Sequence, residues 1–571
     1  MKRRLAAAAV LVFVAAGCTK QGGPQQYTTT TTTTTGSAGS VTSAAPPEIN
    51  TSSAEQNSWT RPHVLRMALG AEGVETLNPA LTSDTSVSLI LAPLSMGYLI
   101  RWDKQNNPIP ELITQVPTQK NGGVSKDGLT ITYHLRKGVK WSDGAPFDAD
   151  DVIFSFRAVL NPANNVTSRS GFDRITKMDE PDKYTVVLHL SKPYSPFVET
   201  FFSTAGAQPS VLPKHILGNL PDINHAPYNS KPVGIGPFMV KEWSRGARVV
   251  LVANPYYFRG MPKLKEIDYE IIPDVNTMLT EMEARSLDLS YQTPPNLYPQ
   301  TKNLSAFVNW AQPSFYFRHL DFNLRSPKLA DPAVRRALRY ASDRASIIAK
   351  IYHGIAFLQE QPAPKVSVWW DPNIKQVPFD IAKANQILDA AGWRRGPDGV
   401  RAKNGVKLDL NFVTATGTVV NDQVIEQLRQ TWRQIGVKLT VSHYLNTLLF
   451  AQYQDGGILY RGKYDVAYFA WGVDPIGDLS VIYACDQIPP AGQNSLFWCN
   501  KTADKAMHDL YAHYDQADRN KDDAVVMTQL NQDVPTVVMM GTAALWVYNK
   551  DLKNFNPGAL SPFDNFMDVD I

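Results

Sequence analysis

The stretch from 331 to 443 constrains the fold most. From 331 to 352 the apolar residues Val334, Ala337, Leu338, Ala341 and Ile347 recur at helical spacing, with Pro332 near the start, where its missing N–H costs little. A second helix is expected over 381–391, ended by Gly392. A strand over 406–413, a helix over 424–435 stopped by Gly436, and a strand over 438–443 follow. Apolar spacing that switches between periods of 3.6 and 2 in this order requires helices laid on a sheet, an α/β architecture. The first half reads similarly, with strands over 63–69, 130–135, 184–190 and 248–252 and helices over 149–160 and 276–285. The chain has 571 residues, 43% of them hydrophobic, and is too long for one simple domain. Two or three compact units are expected, with no internal repeat.

The N-terminus carries a different signal. Lys2, Arg3 and Arg4 precede an apolar run over 5–16, too short to span a bilayer as a helix. The run ends in Ala15-Ala16-Gly17-Cys18, which resembles a lipobox, although Ala15 stands where Leu is usual. Residues 1–17 are therefore read as a signal peptide and Cys18 as the lipidated residue. Residues 18–60 are polar and of low complexity, with threonine at every position from 28 to 35, and read as a flexible stalk. The protein is expected outside the cytoplasm, lipid-anchored to the cell membrane, in a periplasm or at the cell surface.

Composition narrows the partners. Loss of Lys2, Arg3 and Arg4 from 56 basic residues leaves 53, against 53 acidic ones. A net charge near zero gives no basic face for nucleic acid. Cys485 and Cys499 are an even pair in an oxidising compartment and are expected to form a disulfide; two free thiols are the alternative. The ten His residues show no metal-ligand spacing, and GxSxG, HExxH, GxxxxGK[ST] and GxGxxG are missing. The chain is expected to be no enzyme and to hold no metal or cofactor.

Several stretches resemble the family 5 solute-binding proteins of ABC importers, the oligopeptide, dipeptide and nickel binders. The clearest runs from Leu129 through Arg136-Lys137-Gly138-Val139-Lys140-Trp141-Ser142-Asp143-Gly144-Ala145-Pro146-Phe147 into Asp151-Val152-Ile153-Phe154-Ser155-Phe156. Leu77-Asn78-Pro79, Pro110-Glu111-Leu112, Val233-Gly234-Ile235-Gly236-Pro237-Phe238, Asn254-Pro255-Tyr256-Tyr257 and Val334-Arg335-Arg336-Ala337-Leu338 with Asp343-Arg344 follow in family order. Ala391-Gly392-Trp393 and Ile435-Gly436-Val437 complete the set. The resemblance implies a two-lobed periplasmic-binding-protein-like fold, class II or cluster C, with an extra subdomain in the first lobe. Lobe I would comprise 61–313 and 537–571, with the inserted subdomain at about 99–224, and lobe II 314–536. It also implies a monomer that captures a small solute, most directly a peptide, and delivers it to an ABC permease and its ATPase. The alternatives are another solute (an oligosaccharide, an amine-bearing compound or a metal chelate) or a receptor that presents ligand to a membrane sensor.

Candidate ligand contacts follow from the residues. Tyr464 to Pro475 is a β-rich run ending in a Gly turn and an acid before Pro, and it resembles the family loop whose aspartate pairs with the α-amino group of a peptide; Asp474 occupies that place. Asp-Pro also starts turns, so Asp474 can equally cap the next one. The loop shows one acid where the family pattern has two. Trp471 can stack on ligand or pack in the core. Near the expected lobe crossing, alternation puts Tyr316 and Arg318 on one face and Phe317 and His319 on the other. Arg318 can hold a carboxylate bidentately, with a structural ion pair the more ordinary use. Asn78 is a candidate at the cleft rim. Trp369-Trp370 is a ligand wall or a packed surface.

Overall fold

The computed structural model describes residues 56–571 apart from 70–73, 83, 85, 206–207 and 418. The leader, Cys18 and nearly all of the threonine-rich stalk lie outside the described residues. Two unusually long strands organise the body: Phe307–Phe322 and Thr536–Asn549, paired antiparallel along most of their length. Among the described residues they sit in the middle of an eleven-stranded mixed sheet, whose eleventh strand, the short Ala356–Phe357, pairs with Thr536–Asn549 off the main strand order. Beyond Thr536–Asn549 come Leu289–Ser290, then Val64–Leu69, Glu266–Ile271, Arg248–Ala253 and Phe238–Ser244. Beyond Phe307–Phe322 come Val466–Gly472, Asp409–Ala415 and Lys438–Tyr444.

The long strands serve two hydrophobic cores. Trp546 and Ala544 belong to a core drawn from 65–291 and 544–571. Leu320, Phe322, Val537 and Met539 belong to another drawn entirely from 320–540. Between these halves the pairing slips, with register shifts between Pro313 and Phe317 and between Arg318 and His319. Such bulges re-aim side chains beside functional sites.

The expected helices form, with adjusted limits. The pattern over 331–352 is broken into Pro332–Tyr340 and Arg344–Lys350. Asp343 ends the run by capping the second piece, its carboxylate accepting from the Ser346 N–H. The helix expected over 424–435 starts earlier, spanning Val419–Gln434.

A third core covers much of 99–235 and includes a three-stranded sheet of Thr130–His134, Ile175–Asp182 and Thr185–Leu190. Here the sequence motifs meet. Trp141 is fully buried, and its indole N–H donates to Asp151 Oδ2 at 3.1 Å. Asp151 also closes a capping box with Asp148 at the start of Ala149–Leu160. Ser142 donates its N–H to the Gly234 carbonyl, while Gly234 donates back to Ser142 Oγ. A Cβ on Gly234 would fall 1.9 Å from the Ser95 carbonyl oxygen, and one on Gly236 2.5 Å from that of Leu94. The Gly-x-Gly spacing is thus a requirement for backbone contact. Far from these motifs, Cys485 and Cys499 form a disulfide.

Candidate functional site

Two cavities, of about 360 Å³ and 530 Å³, lie where the long strands cross between the cores. They share Gln292, Ser314 and Tyr316 and form one cleft with two ends.

The first end is acidic. Glu199, Asp474 and Asp478 line it, with Tyr194, Tyr291, Phe172, Phe315 and Tyr316 among its aromatic walls. Asp474 follows the Val466–Gly472 strand, and the turn after it is Pro475-Ile476-Gly477. Its Oδ1 accepts from the Gly477 N–H at 2.7 Å and the Asp478 N–H at 2.9 Å. Asp474 therefore caps the turn and also lines the cleft.

More acid surrounds Asp474 than the sequence motif shows. Asp478 stands four residues on, and its Oδ2 accepts from the Tyr511 hydroxyl at 2.9 Å. Glu199 comes from the short helix Phe197–Thr200 and is 5% exposed. Asp523 comes from the helix Gln516–Asp533 and is 1% exposed. Gly477, at φ +95°, lets the Asp523 carboxylate press against the turn, since a Cβ there would meet its Oδ2 at 2.5 Å. Among the described residues, one oxygen each of Glu199 and Asp523 has no hydrogen-bond partner. Arg519, the nearby cation, spends its guanidinium on the His513 and Tyr514 carbonyls and Gln516.

Crowding sets the protonation. Burial, and then the charge of Asp478, push the Asp474 carboxyl up to about 7. Burial and the charges of Asp474 and Asp478 hold Glu199 well above the usual carboxylate range, and Asp523 likewise. A cation entering here replaces like-charge repulsion with a charge-assisted hydrogen bond in a partly dry site.

The second end is more apolar. Tyr316, Arg318, Tyr352, Val420 and Ala470 line it. Tyr316 is 42% exposed and reaches both ends, with its ring against Gly472. Phe317 and His319, on the opposite face, are buried. Arg318 departs from the expectation of an ion pair: its Nη1 donates to the Asn421 side-chain oxygen at 2.9 Å, and its guanidinium stacks 5.7 Å over Tyr468.

Other candidates do not reach the cleft. Asn78 is fully buried, its Nδ2 donating to Asn229 and its Oδ1 accepting from the Ala80 N–H, so it stabilises the turn after the first strand. Alternation along Val466–Gly472 turns Ala470 and Gly472 to the cleft and Trp471 away, to a small void beside His319, Phe450 and Phe469. Trp369 is a core residue with Trp370 packed on it. Of the residues missed, Asp478 was within reach of a four-residue spacing argument. Glu199 and Asp523 stand 275 residues before and 49 after Asp474, with no local signal.

An acidic, aromatic-walled cleft set where two strands cross between two cores is the arrangement of a two-lobed solute receptor. Bacterial extracellular solute-binding proteins, family 5 Middle, match residues 107–488, and the chain belongs to this family. It is 26% identical over 496 residues to the oligopeptide-binding protein AppA of Bacillus subtilis, spanning 85% of this chain and 88% of AppA. The AppA structure, in complex with a nonapeptide, superposes with a TM-score of 0.73 at 23% identity, covering 89% of this chain and 99% of AppA. NikZ of Campylobacter jejuni, in complex with Ni(L-His), gives a TM-score of 0.74 at 26% identity over 90% of this chain and all of NikZ. Among the described residues no helix is long and apolar enough to cross a membrane.

Proposed function

We propose that the protein is a lipid-anchored receptor that captures a small peptide in the cleft and hands it to an ABC permease driven by a cytoplasmic ATPase. The observation that carries this reading is the acidic end of the cleft: Asp474, Asp478 and Glu199 face one aromatic-walled cavity, and among the described residues no basic side chain shares its lining. A peptide α-ammonium, carried on a chain with apolar side groups, fits both the charge and the walls. Kinship with an oligopeptide-binding protein over most of both chains supports the same ligand class.

The reading includes the lobes. The return crossing falls later than the 537 read from the sequence, because Val537, Met539 and Met540 pack in the second core: residues 61–313 with about 542–571 form one lobe, carrying the inserted subdomain at about 99–224, and 314–541 form the other. They close about the two strand crossings near Ser314 and Thr542, where the register slips. Closure on ligand is then a population shift between open and closed forms. Residues 1–17 act as the signal peptide, acylated Cys18 anchors the protein outside the cytoplasm, and 18–60 is the tether to the monomeric body.

Thermal unfolding of the full-length protein in detergent, against peptides, sugars and nickel chelates, tests the ligand class. Stabilisation by ligand at a hundredfold excess over its Kd is about 2.7 kcal/mol. Peptides are expected to raise the melting temperature. A shift with sugars or chelates alone would remove the peptide assignment and keep the receptor.

A further inference from the structure

The two ends of the cleft carry opposite charge, and the strand register fixes how far apart they are. Arg318 is half-buried at the second end. Among the described residues its guanidinium makes no ion pair; its neighbours are the neutral Asn421 side chain and the Tyr468 ring. A guanidinium has five donor hydrogens in a rigid fork, matched to a carboxylate. Leaving such a charge without a counter-ion beside apolar walls is costly, and an incoming anion relieves the cost.

Arg318 pairs across the sheet with Ala470, and Tyr316 with Gly472. The Val473 N–H still donates to the Phe315 carbonyl, so the strand stays extended almost to Asp474. Asp474 thus stands four residues along from the level of Arg318, roughly 13 Å at about 3.3 Å per residue. An extended peptide of about four residues spans that length from ammonium to carboxylate, and one of about three does so with the arginine side chain reaching toward it.

We propose that Arg318 receives the C-terminal carboxylate of a peptide whose α-ammonium lies at Asp474, so that the cleft selects zwitterionic peptides of about three or four residues. The inference rests on the peptide reading above and adds the second anchor and the length. Tyr316, shared by both ends, lies against the middle of such a ligand.

Calorimetric titration of the full-length protein in detergent tests it. The probes are alanine peptides of two to six residues, as free acids, as C-terminal amides and as N-acetylated acids. The free acids of the tri- and tetrapeptide are expected to bind about tenfold or more tighter than their amides, as for loss of one charge-assisted pair. In Arg318→Gln this contrast should collapse to under about twofold, while the penalty for N-acetylation remains. Affinity should fall at five and six residues. The acid–amide contrast in the unmodified protein decides even if the variant does not fold. Equal binding of acid and amide, with N-acetylation still harmful, overturns the Arg318 assignment and leaves the peptide reading standing. Affinity that rises steadily to six residues overturns the length limit. Failure of every peptide to bind overturns both.

Discussion

Asp474→Asn isolates the charge that the amine anchor requires. The asparagine carbonyl can still accept from the Gly477 and Asp478 N–H groups, so the turn is kept. Removing one partner of a buried charge pair costs about 2–5 kcal/mol. Asp478 and Glu199 remain at the same end of the cleft, so the loss should lie near the low limit, about 2 kcal/mol or roughly thirtyfold in Kd at pH 7.5. The pH profile is sharper. With the ligand-free Asp474 carboxyl at about 7, only about 1% is ionised at pH 5, so peptide affinity should fall roughly twentyfold between pH 7.5 and 5, toward the level of the asparagine variant. Above about pH 8 the peptide amine itself loses its proton and affinity falls again. Calorimetry across pH 5–9 should show this bell in the parent protein and a flattened acid limb in the variant. The stability sign follows from the same shift. A carboxyl raised in the folded state contributes stability that is full below its unfolded value near 4 and is lost as pH rises through about 7. Relative to the parent, ligand-free Asp474→Asn should therefore be more stable at pH 8 than at pH 5. An unchanged acid limb in Asp474→Asn would refute the argument and move the titrating group to Glu199 or Asp523.

Gly472→Ala should weaken peptide binding without unfolding the protein, because the new Cβ would lie 2.8 Å from the Tyr316 ring and displace it within the cleft; titration and melting measured together separate the two effects. Serine at both Cys485 and Cys499 opens a loop of 14-residue separation and should cost about 3 kcal/mol in urea unfolding, with no further change on adding reductant. Glu360→Ala strands Arg339 and Arg344, which pair with Glu360 at side-chain exposures of 9% and 3%. The loss should be about 3–5 kcal/mol by denaturant titration. Asp148→Ala removes the capping box of Ala149–Leu160 and should cost about 1 kcal/mol by the same measure.

The fold was largely legible because it rests on local rules. Periodicity placed the helices, and Gly392 and Gly436 marked their ends correctly, both at positive φ. What it missed at 341–343 was Asp343 acting as a cap inside an otherwise continuous apolar pattern. The site was legible only where it lies on one strand. Alternation set Tyr316 and Arg318 on a common face, and the turn motif singled out Asp474. Trp471 was attractive for its aromatic ring, but alternation along its own strand already turned it from Gly472, the residue that touches Tyr316. Glu199 and Asp523 reach Asp474 through the short helix Phe197–Thr200 of the first half and a helix of the second half. No spacing rule connects such elements, since packing alone brings them together.

The central claim is that a peptide lies in this cleft with its amine on Asp474. A crystal structure of the protein with trialanine tests it most directly. The account predicts the ammonium nitrogen within about 3 Å of an Asp474 carboxylate oxygen, the chain running past Tyr316, and the carboxylate toward Arg318. A peptide bound in the opposite direction, or density for it outside the cleft, would contradict the account.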